Sequence, residues 1–439
     1  MKQEAFFTLS ERLIERLNGS EILFANVAVD DSDFVRLNQN RVRQAGNVHS
    51  ATLALTLIEG SKQADGDCGL CGNGETDLAL ALALLGRLRE RLPHVPDDPY
   101  LNFCEQPFET SQLITATMPA TDEAIGILVD LAEGLDLVGI WASGCIAEGL
   151  ASSIGHRCWH QSASFNLDWS CYLDRDKAIK GTYSGFTWEP DELATRIALQ
   201  RERLQVMVRP QRRIEPGCYR AFLAPAALQE LVDMLAWGGF GLRDHRTRQT
   251  SLLALANGEV KLDPHLSISE SSDRGLAPGF TTEGFAKPER VPLISGGRFG
   301  ECLVDARSAK EYGAQVNATT EYPESVEVGA GDLFSADALA RLGTGLYVGN
   351  LWYCNWSDRN SCRVTGMTRF GSFWAEDGVL VAPVAVMRFD DSLYRLFGER
   401  LEGLTRERDL IFSPETYDGR SSDSALLPGA LISGIELAL

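Results

Sequence analysis

The sequence predicts an α+β protein of two domains, the first built of antiparallel sheets with packed helices and the second rich in β-strands. Three observations predict it. At 439 residues the chain exceeds the size at which one hydrophobic core usually stops growing. With 44% hydrophobic and 23% charged residues it has a globular composition, far from that of a disordered chain. Period-two alternation of apolar and polar residues gathers into blocks, one near the start, one over Val138 to Trp188, and a Gly-punctuated series through the second half.

The first residues, with acids and arginines breaking every apolar run, form an amphipathic helix that ends by Asn18-Gly19. They lack the apolar centre of a signal peptide, so no leader is expected. Ile22 to Val29, Phe34 to Val42 and Ser50 to Ile58 alternate in polarity and predict a three-stranded antiparallel meander. Asp65 to Gly74 is turn-rich. Thr76 to Leu92 is a strong helix of Leu and Ala with terminal arginines, stopped by Pro93. Pro93 to Pro107 is linker-like. Thr121 to Leu135 is a helix with Thr121 as its cap, followed by Asp and Glu. Val138 to Trp188 supplies a second block of strands. Pro190 opens a helix running to about Val208, with proline at the first position and acids in the first turn. Pro210 to Pro216 is the expected boundary, giving domains of residues 1–210 and 217–439. The second domain opens with a strand, Cys218 to Leu223, and a helix, Ala226 to Leu235, before its short strands.

No run approaches the roughly 18 apolar residues needed to cross a bilayer, the nearest being Leu78 to Leu85. Ten cysteines, including the scattered Cys104, Cys218 and Cys302, read as reduced core thiols in a cytoplasmic protein. A formal net charge of -20 argues against binding nucleic acid or anionic membrane, which both reward Lys and Arg.

The familiar catalytic sets are missing. None of His49, His94, His156, His160, His245 and His265 is followed by Glu, so the zinc-protease helix motif is absent. No nucleophile elbow, P-loop or dinucleotide fingerprint occurs. His156, Cys158 and His160 would share one face of a strand and offer three soft ligands; the other reading is an aromatic-rich strand with no fourth ligand. Cys68-Gly-Leu-Cys71 has the spacing of a zinc knuckle or redox pair, yet lacks further ligands, and reads as a loop. Asp30-Asp31, Asp97-Asp98 and Asp390-Asp391 read as solvated charge in turns.

One segment is more specific. Val364-Thr-Gly-Met-Thr-Arg-Phe-Gly-Ser-Phe-Trp-Ala-Glu-Asp-Gly378 predicts a turn around Gly366, a strand carrying Phe373 and Trp374 into the core, and an Asp377-Gly378 hairpin. It resembles the Thr-Gly and Gly-Phe-Trp-Ile-Glu-Asn-Gly stretch of the TldD/PmbA family, in its PmbA (TldE) branch. Phe34 to Val42, Glu283-Gly284, Val291 to Arg298 and Asp305 to Lys310 fall in the order of similar elements there.

The resemblance implies a two-domain TldD/PmbA-like fold and a proteolytic assembly acting on peptides or unfolded polypeptides. In it a TldD-like subunit carries zinc on a His-Glu-x-x-x-His helix and a distant Cys, and a TldE-like subunit lacks those ligands. Here Met234 to Arg243, the corresponding region, has no His or Glu, and Tyr417-Asp-Gly419 stands near the position of the family's Cys-Gly. The implied chain has no catalytic residue and binds no metal itself; its partner is a TldD-like subunit, a second copy, or both. Leu351 to Cys362 departs from the family in its aromatics. Trp352, Tyr353, Trp356 and Arg359, with Thr365, Gly366 and Arg369, are candidate substrate or partner contacts, since Trp, Tyr and Arg dominate interface hot spots. Alternatively these rings pack the β-domain. Two other functions stay open: a stand-alone metal-dependent hydrolase built on His156, Cys158 and His160, and a peptide-binding scaffold without catalysis.

Overall fold

A computed structural model of the chain describes residues 1–174, 177–273, 276–416 and 419–438. Helix α1 (Gln3–Ile14) is followed by β1 (Ile22–Asn38), β2 (Arg41–Glu59), β3 (Lys62–Gly69), α2 (Gly74–Arg91), β4 (Glu109–Ile114), α3 (Thr121–Leu131), β5 (Asp136–Ser152), β6 (Arg157–Asp174), β7 (Lys177–Gly185) and α4 (Pro190–Met207). The seven strands form one sheet in the order β3-β2-β1-β5-β6-β4, with β7 also beside β6. Its pairings are antiparallel except β4 against β6.

The second half runs β8 (Gly217–Leu223), α5 (Pro225–Gly239), α6 (Leu242–Arg246), α7 (Leu253–Ala256), β9 (Ile268–Ser271), β10 (Arg290–Ser295), β11 (Arg298–Phe299), α8 (Ala306–Tyr312), β12 (Ser325–Val328), α9 (Ala338–Leu342), β13 (Gly345–Val348), β14 (Leu351–Asp358), β15 (Arg363–Thr368), β16 (Ser372–Glu376), β17 (Val379–Pro383), β18 (Arg388–Ser392), α10 (Leu393–Leu396), β19 (Leu401–Phe412) and β20 (Ser424–Leu437). These thirteen strands make a second sheet around β20, which pairs with β8, β12, β18 and β19. The predicted α+β class with antiparallel sheets and packed helices is what the chain adopts.

The cores explain the layering. Phe6, Leu9 and Leu13 of α1 and Leu78, Ala81, Leu85 and Leu88 of α2 bury against Leu23, Ala25, Leu53 and Leu55 of the first sheet. Ala221, Leu228, Leu231 and Leu235 pack with Ile268, Leu293, Phe389 and Ile432 in the second. A third cluster joins the two sheets: Trp141, Phe165, Trp169 and Tyr183 from the first meet Phe222, Tyr347, Phe373 and Leu431 from the second.

Several expectations are corrected. Ile22 to Val42 is not two strands of a meander: Ile22 to Asn38 is one long β1, and after a tight turn at Gln39 and Asn40, both with positive φ, Arg41 and Val42 already open β2. The polar centre of β1 is tolerated because Asp30, 7% exposed, accepts from the Ser32 hydroxyl and the Arg420 amide. Cys68 belongs to β3, opposite Leu53, and only Cys71 is in the loop, where its amide and that of Gly72 donate to Asp77. Thr121 is not the cap of α3, which is Ala120; its hydroxyl donates to Asp33 Oδ2 at 2.6 Å. Gly366 lies within β15, not in a turn. Asp391 is fully buried and paired with Arg400 at 2.8 Å, so it is not solvated charge. The ten cysteines are free, but Cys218 is exposed and Cys104 and Cys302 are half-buried, not core thiols. Tyr417 and Asp418 lie outside the described residues.

Candidate functional site

The cleft between the two sheets is walled by α5. Pro225 starts this helix at a position where its missing N–H costs nothing, and Ala227, Leu228, Leu231, Val232 and Leu235 bury one face. Gln229, Glu230 and Asp233, three and four residues apart, share the opposite stripe. With Lys180 of β7, Tyr322, Glu324, Glu415 and Asp423 they line a cavity of about 410 Å³. The loop between β19 and β20 closes one side; its Arg420 donates from Nη2 to Ser164 Oγ at 2.6 Å, and Ser413 O accepts from Asn166 at 3.1 Å.

Electrostatically the cleft is acidic, and Lys180 is its one basic lining residue among those described. Asp233 touches solvent within the cleft, yet the surrounding protein raises its carboxyl to about 7, first by desolvation and then by the charges of Glu230 and Asp423. Glu230 and Asp423 are raised by burial as well. Deeper, half-buried Glu148 of β5 rises to about 7 through desolvation and the charge of Glu324, against the pull of Lys287. Glu270 rises to about 7 by desolvation although the Ser325 amide donates to both its oxygens at 3.0 Å. Lys287 pairs with Glu324. Burial and the charges of Asp233 and Asp423 push the Tyr322 phenol up to about 12. Burial thus shifts the Glu230, Asp233 and Asp423 carboxyls of the lining toward their protonated forms, which can donate hydrogen bonds as charged carboxylates cannot.

Zinc prefers histidine and cysteine, with the occasional carboxylate. Among the described residues no three His, Cys, Asp or Glu side chains converge so as to hold a metal, and no imidazole or thiol lines the cleft. The described residues do not fit a zinc ion.

The candidate residues of the sequence fall in two other places. His156 and Cys158 both meet Phe108: the imidazole lies edge-on at 5.8 Å, and the thiol is 3.7 Å from the Phe108 carbonyl oxygen. His160 is engaged separately, by Gln112 Oε1 at 3.2 Å and Leu276 O at 2.8 Å. Burial lowers both imidazoles and pushes the Cys158 thiol up to about 12, opposing the thiolate a metal would need.

Trp352, Tyr353, Trp356 and Arg359 lie on and just beyond β14, paired with β15, which holds Thr365 and Gly366. Tyr353 is 74% exposed with φ +58°, and Trp352 is 40% exposed beneath the Arg369 guanidinium, 4.3 Å from its ring centre. Trp356 instead packs half-buried on the core. Arg359 turns away and donates to Trp237 O at 3.2 Å, sealing the kink that ends α5. The Thr365 hydroxyl donates to Phe389 O at 2.9 Å and accepts from Arg388 Nε at 2.8 Å. The hairpin thus divides between presented and packing aromatics.

Sequence reasoning missed the cleft. Glu230 and Asp233 were legible as a polar stripe on an otherwise apolar helix; Tyr322, Glu324 and Asp423 come from separate segments and carry no joint signal.

The model of the PmbA/TldA metallopeptidase C-terminal domain matches residues 216–439. No curated protein matches the chain significantly. Solved structures share the fold along the whole chain. TldE from Thermococcus kodakarensis superposes with a TM-score of 0.77 at 13% identity, over 99% of this chain and 100% of that one. A Thermotoga maritima protein, described as a candidate modulator of a DNA gyrase, gives 0.75 at 14% identity and 100% coverage of both chains. A Bacteroides thetaiotaomicron protein, described as a candidate modulator of DNA gyrase, gives 0.75 at 13% identity, over 99% and 98%.

Proposed function

This chain belongs to the PmbA/TldA metallopeptidase family, and from that premise we propose that it is a TldE-like subunit of a zinc metalloprotease assembly. It binds peptide or unfolded polypeptide and a metal-bearing TldD-like subunit, and it cleaves nothing alone. One observation carries this reading: the α5 wall of the central cleft presents Gln229, Glu230 and Asp233, with both carboxyls raised by burial and no imidazole or thiol among the described lining residues. Such a wall donates and accepts hydrogen bonds to a peptide backbone but offers no zinc-binding set. Zinc belongs, in this reading, to the partner. The exposed ends of the β14–β15 hairpin, Trp352, Tyr353 and Arg369, supply partner contact.

The test is a peptidase assay of this chain alone, of a TldD-like subunit alone and of the mixture, with zinc analysis of each purified protein. Cleavage should require the mixture, or be raised by it. Cleavage or stoichiometric zinc in this chain alone would overturn the proposal.

A further inference from the structure

The edge of the first sheet is left open over an unusual length. β2 pairs with β3 only from Thr52 to Glu59, so among the described residues Arg41 to Ser50 has β1 on one side and no strand on the other. These residues are exposed apart from Val48, which is half-buried. Long open edges are normally shortened, covered or bulged, because unpaired N–H and C=O groups recruit other strands; this one carries a single bulge, at Arg43, and is open on both sides of it. Beside this edge lies a groove of about 700 Å³ between β2 and α3. Val42, Ala45, Ile125, Gly126 and Val129 give it an apolar floor, while Asp33 and Asp122 stand at its Asn47 end. Asp33 is hydrogen-bonded by Thr121 and Asn47, Asp122 by the Glu123 amide; neither has an ion pair among the described residues.

We propose that this edge and groove bind an extended peptide segment, which pairs with β2, lays alternate apolar side chains over Val42 and Ala45, and sets a lysine or arginine over Asp33 and Asp122. It rests on the substrate-holding reading above and names the chemistry of the peptide. Strand addition takes affinity from the backbone and specificity from pockets for every second side chain. Because the bulge at Arg43 takes up one residue, Val42, Ala45 and Asn47 stand opposite Leu37, Val35 and Asp33, about 13 Å of strand with room for three side chains on one face. Charge selects the occupant. The groove lining has two acids and no base, both acids at its Asn47 end, while Arg41 and Arg43 stand at the opposite end of the edge; this complements a segment with its cation at the Asn47 end and disfavours a second copy of a chain with net charge -20.

The test uses the full chain and a fluorescein-labelled synthetic peptide in which valine alternates with threonine and one lysine heads the valine series. Gly126 has open space where a Cβ would stand, so Gly126→Leu fills the groove without a clash. Fluorescence anisotropy should show at least tenfold weaker binding to G126L, with an unchanged thermal melt. Methylating alternate peptide amides should abolish binding, and D122N should erase the preference for lysine over norleucine. Equal binding by G126L and the parent chain would overturn the inference and leave substrate holding to another site. No peptide binding to the parent chain would remove the substrate-holding reading as well. A dimer in sedimentation that G126L dissociates would assign the groove to a second copy and overturn the peptide.

Discussion

At the scale of single residues, Gly366 and Glu148 make opposite kinds of prediction. A Cβ at Gly366 would stand 2.6 Å from the Phe389 ring and 2.8 Å from the Cys354 sulfur, so this glycine permits a close packing within a strand. Gly366→Ala should cost about 1–3 kcal/mol, the usual range for overpacking, as read by urea denaturation. Glu148 concerns charge. Its folded-state value of about 7 exceeds the ordinary 4.5, so between those values the native state holds more protons than the unfolded one. Stability from this group is therefore full below pH 4.5, falls as pH rises to about 7, and is flat above. Glu148→Gln should remove that slope and stabilise the protein at pH 8 relative to pH 4.5. The gain is on the order of 1–3 kcal/mol, the upper figure converting the full shift and the lower allowing for partial exposure. Denaturation midpoints of parent and variant that stay parallel across the range would refute it.

At the scale of elements, the β14–β15 hairpin holds Tyr353 in the left-handed region, which penalises a side chain other than glycine, asparagine or aspartate by roughly 1–2 kcal/mol. An exposed aromatic ring held that way is suited to contact. Tyr353→Asn should raise the melting temperature while weakening association with a TldD-like subunit, two readouts that a purely structural role would move together. The elements also show what the sequence made legible. α4 announced itself through Pro190 at its first position, and Asp377-Gly378 forms the expected turn, with φ of +48° and +79°. Phe373 and Trp374 are buried as their strand predicted. The long β1 was hidden, because Asp30-Asp31-Ser32 interrupts its apolar pattern and its partner Arg420 lies 390 residues away. β4 was hidden too, being six largely exposed residues, the first four polar, held by a parallel neighbour. Local pattern reports what an element does for itself. The cleft depends on what several elements do together.

At the scale of the molecule, the boundary near Pro210 to Pro216 separates the strands of the two sheets but not their cores. Trp141, Phe165 and Trp169 of the first half share one buried cluster with Phe222, Tyr347, Phe373 and Leu431 of the second, and Trp141 stacks on Phe165 with centroids 5.6 Å apart. Residues 1–210 and 217–439 are, we propose, distinct architectures that fold as one cooperative unit. Neither half alone covers this aromatic face, since large apolar side chains lose roughly 1.5–3 kcal/mol each when left in water. Calorimetry of the whole chain should give a single transition, with equal calorimetric and van't Hoff enthalpies. A fragment of residues 1–210 should bind a hydrophobic dye and aggregate. Phe373→Ala, at a fully buried position, should cost about 3–5 kcal/mol and lower that one transition as a whole. Its effect should reach the fluorescence of Trp141, on the far side of the boundary, at the same denaturant concentration as a probe in the second sheet. Two separated transitions, with only the second moved by Phe373→Ala, would show that the shared cluster does not couple the halves, and the cleft between them would then be free to open without unfolding either.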